Sequence, residues 1–268
     1  MRKTVKNGCM VVVIVAIATV MISCATFGEQ HAQPLDPPIG VISAMRSELS
    51  LLVEHARIDH TDVHGGIEYH VGTLGGKPVV LVQAGVGKIL AAAGAATLIN
   101  EYGVDAIIFT GIAGGVADET EVLDVVVSTD LVVHDYGRIT NDGFVWGPNS
   151  GTVEGRIPAT ESLVDAAHAA AVSVVGGAHA FKGTIATGDQ FVASEWYVGE
   201  LQERFNAYAA EMEGAAVALV AYQYDVPFVV IRCMSDKADG LAHATMDAFG
   251  QRAADNSASI VIGMLESL

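Results

Sequence analysis

Five charged residues stand where apolar stretches of this chain end, and their types suit acid–base chemistry. Phe228-Val229-Val230-Ile231 follows Pro227 as a run with the character of a central parallel strand. Arg232 interrupts that run and Asp236 closes it, so a cation and an anion fall near its carboxyl end. In open α/β sheets ligands sit in the crevice outside such ends. Glu48 falls in the first turn of a helix expected behind another strand, and Glu211 and Glu213 enter a segment of very small residues, Ala209-Ala210-Glu211-Met212-Glu213-Gly214-Ala215-Ala216. Each acid has two readings: it caps or favours a helix start through the dipole, or it is aimed into the crevice. Phe191, in Thr187-Gly188-Asp189-Gln190-Phe191, either stacks on a flat ligand or plugs the core.

The elements that must position these residues follow from hydrophobic pattern. Residues 39–44 predict a strand, residues 45–52 open a helix, and residues 67–74 and 77–84 predict a hairpin turning at Gly75-Gly76. Residues 89–102 predict a helix ending near Gly103, and residues 106–110 a buried strand followed by a glycine turn, Gly111-Ile112-Ala113-Gly114-Gly115, whose backbone can approach a ligand. Residues 122–133 predict a strand ending at His134-Asp135, and residues 136–158 a long loop. A helix over 161–174, a strand over 178–185, a helix over 194–205, a turn over 237–240 and a closing helix over 246–268 complete the chain. Gly85-Val86-Gly87-Lys88 is not a phosphate loop, because Val82 stands where the first Gly belongs and Ile89 where Ser or Thr belongs. The nine histidines make no metal site; His60 and His64 lie beside Asp59 and Asp62 in what reads as a polar loop.

Residues 1–9 carry Arg2, Lys3 and Lys6 without an acid, and residues 10–22 are almost wholly apolar, which predicts a signal peptide over 1–23. Met21-Ile22-Ser23-Cys24 resembles a bacterial lipobox with Met in place of the usual Leu, so Cys24 is expected to carry lipid and anchor an exported chain; a cleaved secretory signal or an uncleaved anchor is the alternative. Residues 24–38 read as a tether and 39–268 as one domain. Only Cys233 then remains in the folded part, so no intrachain disulfide is expected. The net charge of −17 and the sparse, scattered Lys and Arg argue against nucleic acid as a partner.

Taken together, Ala44-Met45 with Glu48, Thr110-Gly111-Ile112-Ala113-Gly114-Gly115, Gly188-Asp189-Gln190-Phe191, Glu211-Met212-Glu213 and Val230-Ile231-Arg232-Cys233-Met234-Ser235-Asp236 resemble the nucleosidase branch of the purine nucleoside phosphorylase superfamily. The resemblance runs from Ile39 to the end and implies an α/β fold, a single αβα domain whose central mixed sheet is flanked by helices. It also implies a homodimer in which a partner loop closes the site, an adenine nucleoside as substrate, and no cofactor. Under it Asp236 looks like the general acid on the base, Ser235 its orienting neighbour, and Glu48 the group that activates water, with Arg232 close by as part of the catalytic set. Glu213 would hold the ribose hydroxyls, Met212 would pack under the sugar, Phe191 would stack on the base and the Val192 backbone would read its edge. Ala113, Gly114, Met45 and Met246 would line the same site. Ile112 stands where the family commonly has Ser, and Met246 where it tends to have Phe.

Breaking an N-glycosidic bond passes through an oxocarbenium-like sugar, which requires a proton for the base, a grip on the ribose and a placed water. Phosphorolysis is the nearest competitor; against it, Thr110 stands where phosphorylases have Arg, and Glu48 would repel phosphate. A lipid-tethered receptor or adhesin that keeps the fold without catalysis is the other alternative.

Overall fold

Nine consecutive buried residues, Phe228–Asp236, form the strand on which the sheet is centred, as the apolar run requires. The structure is a computed structural model that describes residues 37–148, 152 and 154–268. The expected signal, Cys24 and nearly all of the tether lie outside the described residues. In chain order the elements are β1 (Ile39–Ser43), α1 (Arg46–His55), β2 (Arg57–His64), β3 (Ile67–Leu74), β4 (Lys77–Gln83), α2 (Lys88–Tyr102), β5 (Ala106–Gly115) and β6 (Val125–Val133). They continue with β7 (Gly137–Thr140), β8 (Gly143–Trp146), β9 (Arg156–Pro158), α3 (Glu161–Val175), β10 (Ala180–Thr187), α4 (Glu195–Phe205), β11 (Ala207–Glu211), α5 (Gly214–Gln223), β12 (Phe228–Asp236) and α6 (Ala242–Ser267).

The sheet is mixed, in the order β11-β10-β6-β12-β5-β1-β4-β3-β2, with β9 added on β6. It also curls on itself: β11 pairs in parallel with β10 and antiparallel with β5, through Ala209 opposite Gly115 and Ala210 opposite Gly114. Side chains alternate across its two faces. Val41, Leu81, Ile108, Val229 and Ile231 pack with Leu52, Val164 and Met264 on one side. Ile42, Val82, Ile107, Phe109 and Val230 pack with Leu98 and Ala218 on the other. Helices α1, α3 and α6 therefore cover one face, and α2 and α5 the other, which is the expected αβα arrangement.

Three sequence expectations are corrected. The glycine stretch 111–115 is not a turn but the second half of β5, held in register by β12 on one side and captured by β11 on the other. Residues 136–158 contain the β7–β8 hairpin and β9 rather than one loop; these strands are only three or four residues long, and β9 is anchored by Arg156, whose Nη1 meets Asp130 Oδ1 at 2.5 Å. His60 and His64 lie in β2, not in a loop, because an outermost strand tolerates polar residues on both faces. In addition α6 begins at Ala242, ahead of the expected Met246, so Met246 sits in its second turn.

Candidate active site

The carboxyl ends of β1, β5 and β12 and the start of α5 meet around a cavity of about 170 Å³. Its wall brings together Met45, Glu48, Ala113, Gly114, Phe191, Met212, Glu213, Ser235, Asp236 and Met246 from the sequence reading, and adds Ala44, Val86, Ile112, Ala210 and Glu211. Arg232 and Val192 are not on that wall. Val192 borders the neighbouring groove beside Trp196 and Tyr197, and its side chain packs on the cluster containing Leu201 and Phe205.

Asp236 reaches the cavity through a bulge. Between β12 and β5 the register runs Met234 opposite Ala113 and then Asp236 opposite Gly114, so Ser235 and Asp236 together face one residue. A bulge re-aims side chains, and here two consecutive residues contribute to one cavity although a regular strand would send them to opposite faces. Ser235 Oγ donates to Asp236 Oδ2 at 2.7 Å and the Ala238 amide to Oδ1 at 2.8 Å. Burial pushes the Asp236 pKa up, against the pull of those two donors, which favours the protonated form an acid catalyst needs.

Glu48 satisfies both of its readings. Its Oε2 accepts the amides of Ala44 and Met45 at 2.9 and 2.8 Å, closing the start of α1, while Oε1 accepts the Ile112 amide at 3.0 Å on the cavity side. Burial raises its pKa, and Arg232 and the three amides oppose that rise.

The acid pair divides its work. Glu211 takes the capping duty of α5, accepting the Gly214 amide at 2.9 and 2.7 Å on its two oxygens and the Glu213 amide at 3.1 Å. Glu213 is thereby left to turn into the cavity, where Oε1 accepts the Gly87 amide at 2.8 Å. Its pKa rises to about 7, chiefly through burial and then through the charge of Glu211, with Arg232 acting the other way. Arg232 itself is 1% exposed and spent on Glu211, with Nη2 and Nε at 2.5 and 3.2 Å from Glu211 Oε2 and its guanidinium 4.0 Å from the centre of the Phe109 ring. Arg232, expected in the catalytic set, thus pairs with Glu211 and offsets the charge of Glu48 and Glu213 from behind the wall.

The glycines of β5 serve close approach. A Cβ on Gly111 would stand 2.6 Å from Glu48 Oε1, and one on Gly114 2.9 Å from Asp236 Oδ1. Phe191, 39% exposed, presents its ring to the cavity and stacks on His243, with centroids 4.4 Å apart. His243 and Gly87 escaped the sequence reading, which offers capping for Glu211 and Glu213 alike without saying which of the two takes it. For the acid pair the signal is the helix dipole, which favours an acid at the start of α5 and so makes capping one of the two readings. No comparable signal marks Gly87, whose contact with Glu213 spans 126 residues.

The model of the Phosphorylase superfamily matches residues 38–266. The 5'-methylthioadenosine/S-adenosylhomocysteine nucleosidase of Shewanella sediminis is 41% identical over 231 residues, covering 86% of this chain and 99% of that protein. Among solved structures, the nucleosidase of Neisseria meningitidis bound to methylthio-immucillin-A superposes with a TM-score of 0.80 at 37% identity, over 87% of this chain and 100% of that one. The S-adenosylhomocysteine nucleosidase of Streptococcus pyogenes, bound to 5-methylthiotubericidin, gives 0.80 at 36% identity over 88% and 99%. Likeness of this extent, in sequence and in backbone, means that the chain belongs to the phosphorylase superfamily and, within it, to the family of 5'-methylthioadenosine/S-adenosylhomocysteine nucleosidases.

Proposed function

We propose that this chain hydrolyses the N-glycosidic bond of adenine nucleosides, methylthioadenosine and S-adenosylhomocysteine foremost and deoxyadenosine besides, releasing adenine and the free sugar. The observation that carries the reading is that Glu48, Glu213 and Asp236, distant in sequence, border one cavity with an aromatic ring on its wall. Asp236, its pKa raised and its carboxyl oriented by Ser235, delivers a proton to the departing base. Glu48, anchored by three amides, takes a proton from the attacking water. Glu213 accepts from the ribose hydroxyls. Met212 and Met246 pack on the sugar, Phe191 stacks on the purine, the Val192 backbone meets its edge, and Met45, Ala113 and Gly114 complete the wall. Negative carboxylates beside the anomeric carbon stabilise the positive charge that grows there as the bond breaks.

Water rather than phosphate is the acceptor. Among the described residues, the cavity wall carries no Lys or Arg. Thr110, at the position where a phosphorylase would use Arg, turns its hydroxyl to Ser257 Oγ at 2.6 Å. Incubating the purified domain with methylthioadenosine in phosphate-free buffer should yield adenine and methylthioribose. A requirement for phosphate with formation of a sugar 1-phosphate would overturn hydrolysis, and binding without adenine release would make the protein a receptor.

The family likeness also supports a homodimer in which a partner loop closes the site; a single-chain mass in sedimentation equilibrium would refute it. Export under the signal over 1–23, with lipid on Cys24 holding the domain to a membrane, rests on the sequence pattern. Labelled palmitate should enter the intact chain and not its Cys24→Ala variant.

A further inference from the structure

Lys88 opens α2 in a position that local physics disfavours. The N-cap is Gly87 with no side-chain cap, the first turn holds no acid, and a cation there faces the positive end of the helix dipole. The anions come from far along the chain. Lys88 Nζ lies 2.5 Å from Asp135 Oδ1, just beyond β6, and 3.6 Å from Asp189 Oδ2, in the turn beyond β10. Asp189 Oδ1 caps the helix by accepting the Lys88 amide at 2.9 Å, and the Asp189 amide donates to Asp135 Oδ2 at 2.8 Å. Burial acts to raise the Asp135 pKa, yet the hydrogen bonds from Lys88 and the Asp189 amide hold it below the usual carboxylate value.

This ion cluster adjoins the ribose-facing carboxylate without touching the cavity. Gly87, immediately before Lys88, gives its amide to Glu213 Oε1 at 2.8 Å. It does so with φ near 96° and with space for a Cβ limited by Asp189 Oδ1 at 3.2 Å, so that glycine is required there. Val86 before it and Phe191 just after Asp189 both line the cavity. The Gly-Val-Gly-Lys stretch that resembles a phosphate loop has a different task here: its lysine is neutralised by two aspartates, and its backbone faces a carboxylate.

We infer that Lys88, paired with Asp135 and Asp189, is a positioning residue for ribose recognition, fixing the Gly87 amide on Glu213 so that this carboxylate is presented to the sugar hydroxyls. The inference rests on the assignment of Glu213 to the ribose given above.

The test compares 5'-methylthioadenosine with its 2'-deoxy and 3'-deoxy analogues in wild type, Lys88→Met, Lys88→Arg and Glu213→Gln. Lys88→Met should raise KM for the full riboside about tenfold with kcat little changed, and should cost less for the analogue lacking the hydroxyl that Glu213 holds. Lys88→Arg should restore most of the loss. The double variant Lys88→Met/Glu213→Gln should be no worse than Glu213→Gln alone, because both act through one carboxylate. Equal losses on all three nucleosides, or additive losses in the double variant, would overturn the inference. If circular dichroism shows Lys88→Met unfolded, Asp189→Asn is read against the same two criteria. A wild type that releases no adenine defeats the hydrolase reading instead, and calorimetric binding of the three nucleosides to wild type and Lys88→Met then tests the positioning role by the same comparison.

Discussion

Removing the charge of Asp236 should cost turnover, and removing that of Glu211 should cost stability. Asp236→Asn keeps the shape and loses the proton, so turnover of methylthioadenosine should fall on the order of a hundredfold or more, measured as adenine release. Wild-type rates in that variant would remove Asp236 from the role of acid. Glu211 does not need to touch the ligand to matter. It is the anionic partner of a fully buried guanidinium and the cap of α5, so Glu211→Gln takes from Arg232 its nearest counter-charge and leaves Glu213 Oε2, at 3.9 Å, in its place. Removing one member of such a pair costs about 3–5 kcal/mol, which a denaturant titration should register as a lower midpoint with unchanged slope.

At the scale of elements, the bulge in β12 and the glycines of β5 act together. Two residues of β12 are accommodated opposite Gly114 only because position 114 lacks a Cβ, which would meet Ala238 Cβ at 2.8 Å as well as Asp236. Gly114→Ala should therefore lower stability by about 1–3 kcal/mol and displace the acid, reducing kcat with it. Gly199 provides the contrast. It lies inside α4, and an added methyl there would meet no atom within 4 Å, so Gly199→Ala should raise stability by about 0.5–1 kcal/mol and leave turnover unchanged. Thermal melts and rates on the two variants separate close approach from helix propensity.

The whole molecule carries the cost of gathering acids in one cavity. Glu48, Glu213 and Asp236 all have pKa values raised in the folded state, chiefly by burial, so the folded chain binds protons that the unfolded chain releases. Their stabilising contribution is full below the unfolded carboxylate value and is lost as pH rises through the folded one. For Glu213 that window runs from its ordinary 4.5 to about 7. The melting temperature of the wild type should accordingly fall as pH rises across this interval, and Glu213→Gln should flatten the decline. A melting temperature that climbs steadily over the same range would contradict the raised values.

Apolar runs and their breaks were enough to mark β12, the β3–β4 hairpin and α2 with its Gly103 stop, because burial on two faces of a strand or on one stripe of a helix is written locally, whereas the αβα class was implied by the family resemblance. The acids were also visible, since Glu48, Glu213 and Asp236 each interrupt an apolar context at an element's end. What each acid does was not local. Glu211 and Glu213 are alike in the sequence, and only the closure of β11 onto β5 and the arrival of the Gly87 amide make one a cap and turn the other to the cavity. Likewise Arg232 reads along the chain only as a cation near the end of β12, and packing hands it to Glu211. Local pattern decides which segments are buried, whereas the direction of a side chain at a bulge and the partner of a buried charge depend on atoms that other strands and helices bring alongside.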